Sequence, residues 1–165
     1  MEMKYGVLFL AALVPIIIGV FWYGPLFGNA WMKEMNFTKA SLSGQNMLKV
    51  LLLSYAFSLL ISFFLTFIVI HQMGVMQVLQ GEAGFNDKAG EAFLFFQDFI
   101  AVYGDRFRTF GHGVIHGVLS GFIFVLPILA IVAMFERKSF KYVAINAGYW
   151  VVTLAIMGGI ICQWI

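Results

Sequence analysis

Four runs of the chain, residues 5–27, 47–70, 113–135 and 142–165, contain no Asp, Glu, Lys or Arg apart from Lys49 near the start of the second. A helix needs about 20 mostly apolar residues to cross the hydrocarbon of a bilayer, and each run is long enough. Length, together with the charges gathered between the runs, separates them from the buried helices of a soluble domain. Composition agrees: the 165 residues are 62% hydrophobic and only 11% charged, with a mean hydropathy of +0.93. The expected fold is all-α, a single polytopic membrane domain over residues 1–165 with four transmembrane helices. No basic patch of the kind that binds nucleic acid is present; the first partner is the lipid bilayer.

Lys4 ahead of an apolar run resembles the start of a secretory signal. The run is too long, however, and no small-residue cleavage site closes it before the bulky "FWYGPLF", so it is read as a helix of the mature protein. Pro15 and Pro25 predict a kink there rather than a break, because neighbouring helices can bond the freed carbonyls. The lone Cys162 has no partner for a disulfide and reads as packing.

Charge sets the orientation. Lys33 and Lys39 lie between the first two runs, with Lys49 at the start of the second, and Arg137, Lys138 and Lys141 lie between the last two, against Glu34 and Glu136. The positive-inside bias puts both hairpin loops in the cytoplasm. Lys4, Lys88, Arg106 and Arg108 on the other face are mixed with Glu2, Glu82, Asp87, Glu91, Asp98 and Asp105. Both termini and the central region 72–111 are therefore expected outside the cytoplasm. Sliding the chain along itself sets Gly19 on Gly121, Pro25 on Pro127, Met32 on Met134, Glu34 on Glu136 and Lys39 on Lys141. That alignment predicts two hairpins as a parallel repeat about an axis along the membrane normal.

Within the central region, "NDKAGEAFLFFQDFIAVYGDRF" places Ala92, Phe96, Phe99 and Tyr103 on one helical face and Glu91, Asp98 and Asp105 on another. An amphipathic helix capping the bundle at the interface is expected. Its acidic stripe reads first as a solvated face and second as a means of concentrating cations at an outer mouth.

The stretch "HGVIHGVLSG" opens the third run. Gly113, Gly117 and Gly121 form a stripe that lets two helix backbones approach closely. One residue back, His112, His116 and Ser120 form an adjacent stripe, and His71, the only other histidine, ends the second run at the same depth. Three imidazoles from two helices could hold zinc or copper with an open position, and His71 with His116 could be axial ligands of a haem. The plainer account, which the sequence favours, has these histidines bonding water, lipid headgroups or facing carbonyls. A pH-dependent role is a further alternative. Ser54, Ser58, Ser62 and Thr66 recur every four residues on the second helix, a pattern that glues helices at about 0.6 kcal/mol per bond. Asn146 and Thr153, with Ser120, could instead form a narrow polar path. Nothing assembles the nucleophile, base and orienting group of an enzyme.

The segments "FWYGPLFGNAWMKEM", "FGHGVIHGVLSG" and "FERKSFKYVAINAGYWVVTLAIMGG" resemble the bacterial domain-of-unknown-function 1761 family. The likeness covers nearly the whole chain and implies a small four-helix protein of a bacterial inner membrane, with no catalytic residue to carry over. Trp22, Tyr23, Pro25, Trp31, Asn146, Tyr149 and Trp150 fall in these segments and suit packing as readily as a site. The resulting expectation is a module that binds or transports a small solute or cation at its outer face, self-associating through glycine-lined faces. An accessory subunit of a larger membrane complex is the alternative, and a histidine-ligated metal or haem protein the third.

Overall fold

In the computed structural model, which describes residues 3–165, the apolar runs form four helices long and apolar enough to cross a membrane: Tyr5–Leu26, Met47–Val69, Phe110–Phe135 and Phe140–Trp164. No strand occurs among the described residues; Glu2, counted above with the outer charges, lies outside them. The helices are α1 (Tyr5–Ala11), α2 (Val14–Phe21), α3 (Gly28–Met35), α4 (Met47–Val69), α5 (Gln72–Leu79), α6 (Glu91–Tyr103), α7 (Phe110–Ser120), α8 (Leu126–Phe135) and α9 (Phe140–Trp164). The start of α1, the end of α9 and the segment between α4 and α7 share one end of the bundle, here the loop end. The two hairpin connections share the other.

Helix α9 is the central post, touching α1, α2, α4, α7 and α8. Met157, Ile161 and Cys162 on it are fully buried. The other spans bury a single stripe and turn Phe63, Phe64, Phe122 and Phe124 outward, the surface a bilayer covers. The closest seam runs between α7 and α9. A Cβ on Gly113 would lie 2.1 Å from the Gly158 carbonyl oxygen, one on Gly117 2.0 Å from that of Leu154, and one on Gly121 2.7 Å from Val151 Cα. Only glycine permits this approach. The stripe that was to serve self-association is thus occupied within the chain, by the chain's own last helix.

Both odd-numbered spans are irregular where proline removes an N–H. In the first, the chain turns between α1 and α2, Pro15 sits in the first turn of α2, and a π-helical turn, Trp22–Leu26, carries Pro25 with Gly24 at φ −97° and ψ −107°. The expected kink is therefore two interruptions, and α9 binds across them: Tyr149 Oη donates to the Pro15 carbonyl at 2.8 Å, and Trp22 Nε1 donates to that of Ile145 at 2.9 Å. In the third span a π-helical turn, Gly121–Val125, precedes Pro127. Under the repeat alignment the two π-turns overlap without coinciding.

Two short helices fall where the sequence reading placed connections. Helix α3 lies in the first hairpin connection and ends on Asn36 in the left-handed region (φ 56°), a conformation asparagine tolerates. Its Glu34 accepts a bond from Ser139 Oγ and lies 3.7 Å from Lys141 Nζ, tying the two connections together. Helix α5 follows α4 after a single turn at His71. The amphipathic helix forms as α6, packed on α5 with Phe96 buried against Phe85. It stops at Tyr103, so Asp105 lies beyond it and the acidic stripe is confined to Glu91 and Asp98, both exposed.

Candidate metal centre

The three histidines meet at the loop end. The Thr109 hydroxyl caps α7 by accepting from the His112 N–H at 3.2 Å, which fixes where the helix starts and sets His112 in its first turn and His116 in its second. With Gly113 and Gly117 pressed against α9, the neighbouring stripe turns toward α4, whose end delivers His71. His112 Nε2 lies 2.9 Å from His71 Nε2 and 3.1 Å from His116 Nε2. One ligand atom from each ring lies within 4.8 Å of both others. Two nitrogens at tetrahedral angles on one zinc stand roughly 3.3 Å apart, given Zn–N bonds of about 2.0–2.1 Å. An ion therefore needs each of the two pairs that share His112 to open by only a few tenths of an ångström.

No hydrogen bond among the described residues reaches an Nδ1 of the three, so neighbouring rings set the ring planes. Phe107 stacks on His112 at 5.1 Å and 18°, and meets His71 edge-on at 6.0 Å. The Arg106 guanidinium lies over Phe107 at 5.3 Å and over Tyr103 at 5.8 Å. Phe107 takes a left-handed backbone, φ 64°, which is costly for a bulky side chain. Its carbonyl accepts from the Thr109 N–H at 2.9 Å and from Cys162 Sγ at 3.3 Å, while Arg108 Nε donates to the Cys162 carbonyl at 2.9 Å. The 106–109 turn is thereby pinned to the end of α9.

The remaining candidates are scattered. Ser62 Oγ reaches the Leu8 carbonyl on α1 at 3.0 Å, the one cross-helix bond of the serine stripe; Ser58 and Thr66 bond back to Ser54 and Ser62 on their own helix. Ser54 and Asn146 line a cavity of about 560 Å³ near the hairpin end, where the Asn146 side-chain oxygen accepts from Tyr23 Oη at 2.9 Å. Ser120 lines a different, apolar cavity of about 620 Å³ between α4 and α7, its hydroxyl donating to the His116 carbonyl at 2.8 Å. Thr153 is buried, and among the described residues its hydroxyl has no hydrogen-bond partner. Arg106, Phe107 and Gln72 complete the surroundings of the triad; the sequence marks Arg106 only as one of the outer charges, and the signal that ties the three to the site is adjacency, Gln72 beside His71 and the "DRF" turn just ahead of the cap of α7.

Fold and site together define a four-helix bundle of membrane-crossing length with a tri-imidazole cluster at one end. The chain belongs to the DUF1761 family, described as "Protein of unknown function", whose model matches residues 7–162. Comparison with curated proteins and with solved structures gives no match.

Proposed function

We propose that this protein binds one divalent transition-metal ion, of the zinc or copper(II) class, through Nε2 of His71, His112 and His116. The observation that carries the reading is the convergence of three ring nitrogens from two separate helices, each within 4.8 Å of the others. Imidazole suits zinc and copper, and three histidines that leave a fourth position open are the donor set of a reactive rather than a closed structural site. Thiolate chemistry is not invoked, since Cys162 is buried with its Sγ turned to the Val69 and Phe107 carbonyls. A haem clasped by His71 and His116 is disfavoured, because His112 Nε2 lies within hydrogen-bond distance of both partners, in the space a macrocycle would need.

Three neutral ligands leave the ion its full double charge, which would polarise whatever occupies the fourth position. The charge bias of the hairpin connections supports a centre at the extracytoplasmic face of a bacterial inner membrane, within the broader reading of a module that binds a cation there. The test is metal content of the full chain, purified in mild detergent without chelator. The expected result is one zinc or copper ion per wild-type chain. His71→Ala, His112→Ala or His116→Ala should each weaken binding beyond the roughly 10–100-fold that losing a group merely hydrogen-bonded to a ligand costs. Metal content unchanged in all three variants, or a folded wild-type chain that takes up neither ion, would overturn the reading.

A further inference from the structure

A smaller cavity opens beside His71 of the triad. It holds about 330 Å³ and is walled by His71, Val75, Phe99, Tyr103, Arg106 and Phe107. That volume lies within the range of small-molecule pockets, about 300–1,000 Å³. Its lining is aromatic and aliphatic except at two points. Gln72 also lines it, but its amide is committed, Nε2 donating to the Tyr103 carbonyl at 2.7 Å, the Arg106 carbonyl at 3.0 Å and the Gly104 carbonyl at 3.2 Å. Those bonds hold the 103–106 turn against the pocket. Arg106 is different: it rests on the Tyr103 and Phe107 rings, and among the described residues no carboxylate pairs with it.

Resting on the metal reading above, we infer that this pocket takes an organic carboxylate with an apolar body. The carboxylate would occupy the open coordination position and pair with Arg106, while the body lies among Val75, Phe99, Tyr103 and Phe107. Charge complementarity carries the choice. An ion held by His71 Nε2 would stand at the edge of a cavity that Arg106 also lines, bringing two positive centres to an otherwise apolar space, and a guanidinium matches a carboxylate through paired N–H donors. The molecule arrives from water or, past the exposed Leu94, Phe95 and Val102 of the amphipathic α6, from the bilayer as a fatty acid.

The experiment uses the full chain in nanodiscs, stripped of metal and reloaded with cobalt(II), whose visible absorption reports its ligands. Phenylacetate is titrated as the soluble carboxylate, oleate in the nanodisc lipid as the membrane-borne one, and acetate as the carboxylate without a body. The expected result is a shift of the cobalt bands with phenylacetate or oleate, whichever responds naming the source, and a much weaker response to acetate. Arg106→Gln should load cobalt as wild type yet lose roughly tenfold or more in affinity for the responding carboxylate, and Arg106→Lys should recover part of it. The inference is overturned by a cobalt-loaded chain whose spectrum ignores both larger carboxylates, by acetate binding as tightly as they do, or by Arg106→Gln binding like wild type. Failure to load cobalt at all would instead overturn the metal centre, and this inference with it.

Discussion

His112 is the residue on which the candidate centre turns, because its Nε2 is the one within hydrogen-bond distance of both other ring nitrogens. Metal ligation needs all three imidazoles neutral, so protons compete with the ion. The apparent affinity for zinc should therefore fall as the pH is lowered, read by competition with a chelator of known affinity at each pH; an affinity independent of pH between about 8 and 5 would speak against histidine ligation. Phe107 makes a separate prediction. Replacing it by Ala or Gly removes the ring from His112 in either case, but only glycine relieves the left-handed backbone at φ 64°. Phe107→Gly should therefore be more stable than Phe107→Ala by about 1 kcal/mol in thermal unfolding, with both binding metal more weakly than wild type. The four-residue spacing of His112 and His116 and the common depth of His71 were legible in the sequence. The convergence was not, since it depends on how α7 is rotated, and a left-handed Phe107 leaves no mark in a local pattern.

That rotation is decided by whole helices. Gly117 is the tightest point of the α7–α9 seam, where a Cβ would sit 2.0 Å from the Leu154 carbonyl oxygen. Gly117→Leu should lower stability in detergent by about 1–3 kcal/mol or more, the range for overpacking, while Val118→Leu, on the next position round the helix, should have a small effect. Because the seam also aims the imidazoles, Gly117→Leu should weaken metal binding although it touches no ligand. Equal melting temperatures for the two variants would remove the seam from the account. The long helices were readable because twenty apolar residues leave few alternatives. Helices α3 and α5 were not: eight residues such as "GNAWMKEM" are too few for a periodic signal, and packing at the bundle ends decides them. Glycine spacing announced a close contact but not its partner, which proved to be α9 rather than a second chain.

On the scale of the molecule, four helices of membrane-crossing length put the histidines, the start of α1, the end of α9 and Asp87 at one end, with Lys39 and Arg137 at the other. In a Cys162→Ser background, Asp87→Cys should react with an impermeant thiol reagent in intact cells, and Lys39→Cys and Arg137→Cys should not. Labelling of position 137 from outside would invert the proposed orientation and move the centre to the cytoplasmic face. The bundle and the end that carries the histidines followed from hydropathy and chain order alone; the pocket beside them did not, because α5, the 103–106 turn and Arg106 come together only through tertiary contacts. The most direct test of the central claim is zinc-edge X-ray absorption on the zinc-loaded full chain. Three imidazole nitrogens at about 2.0–2.1 Å, reduced in number when His112 is replaced by Ala, is the result the account predicts. A zinc shell of oxygen or sulfur alone, or one that His112→Ala leaves unchanged, would contradict it.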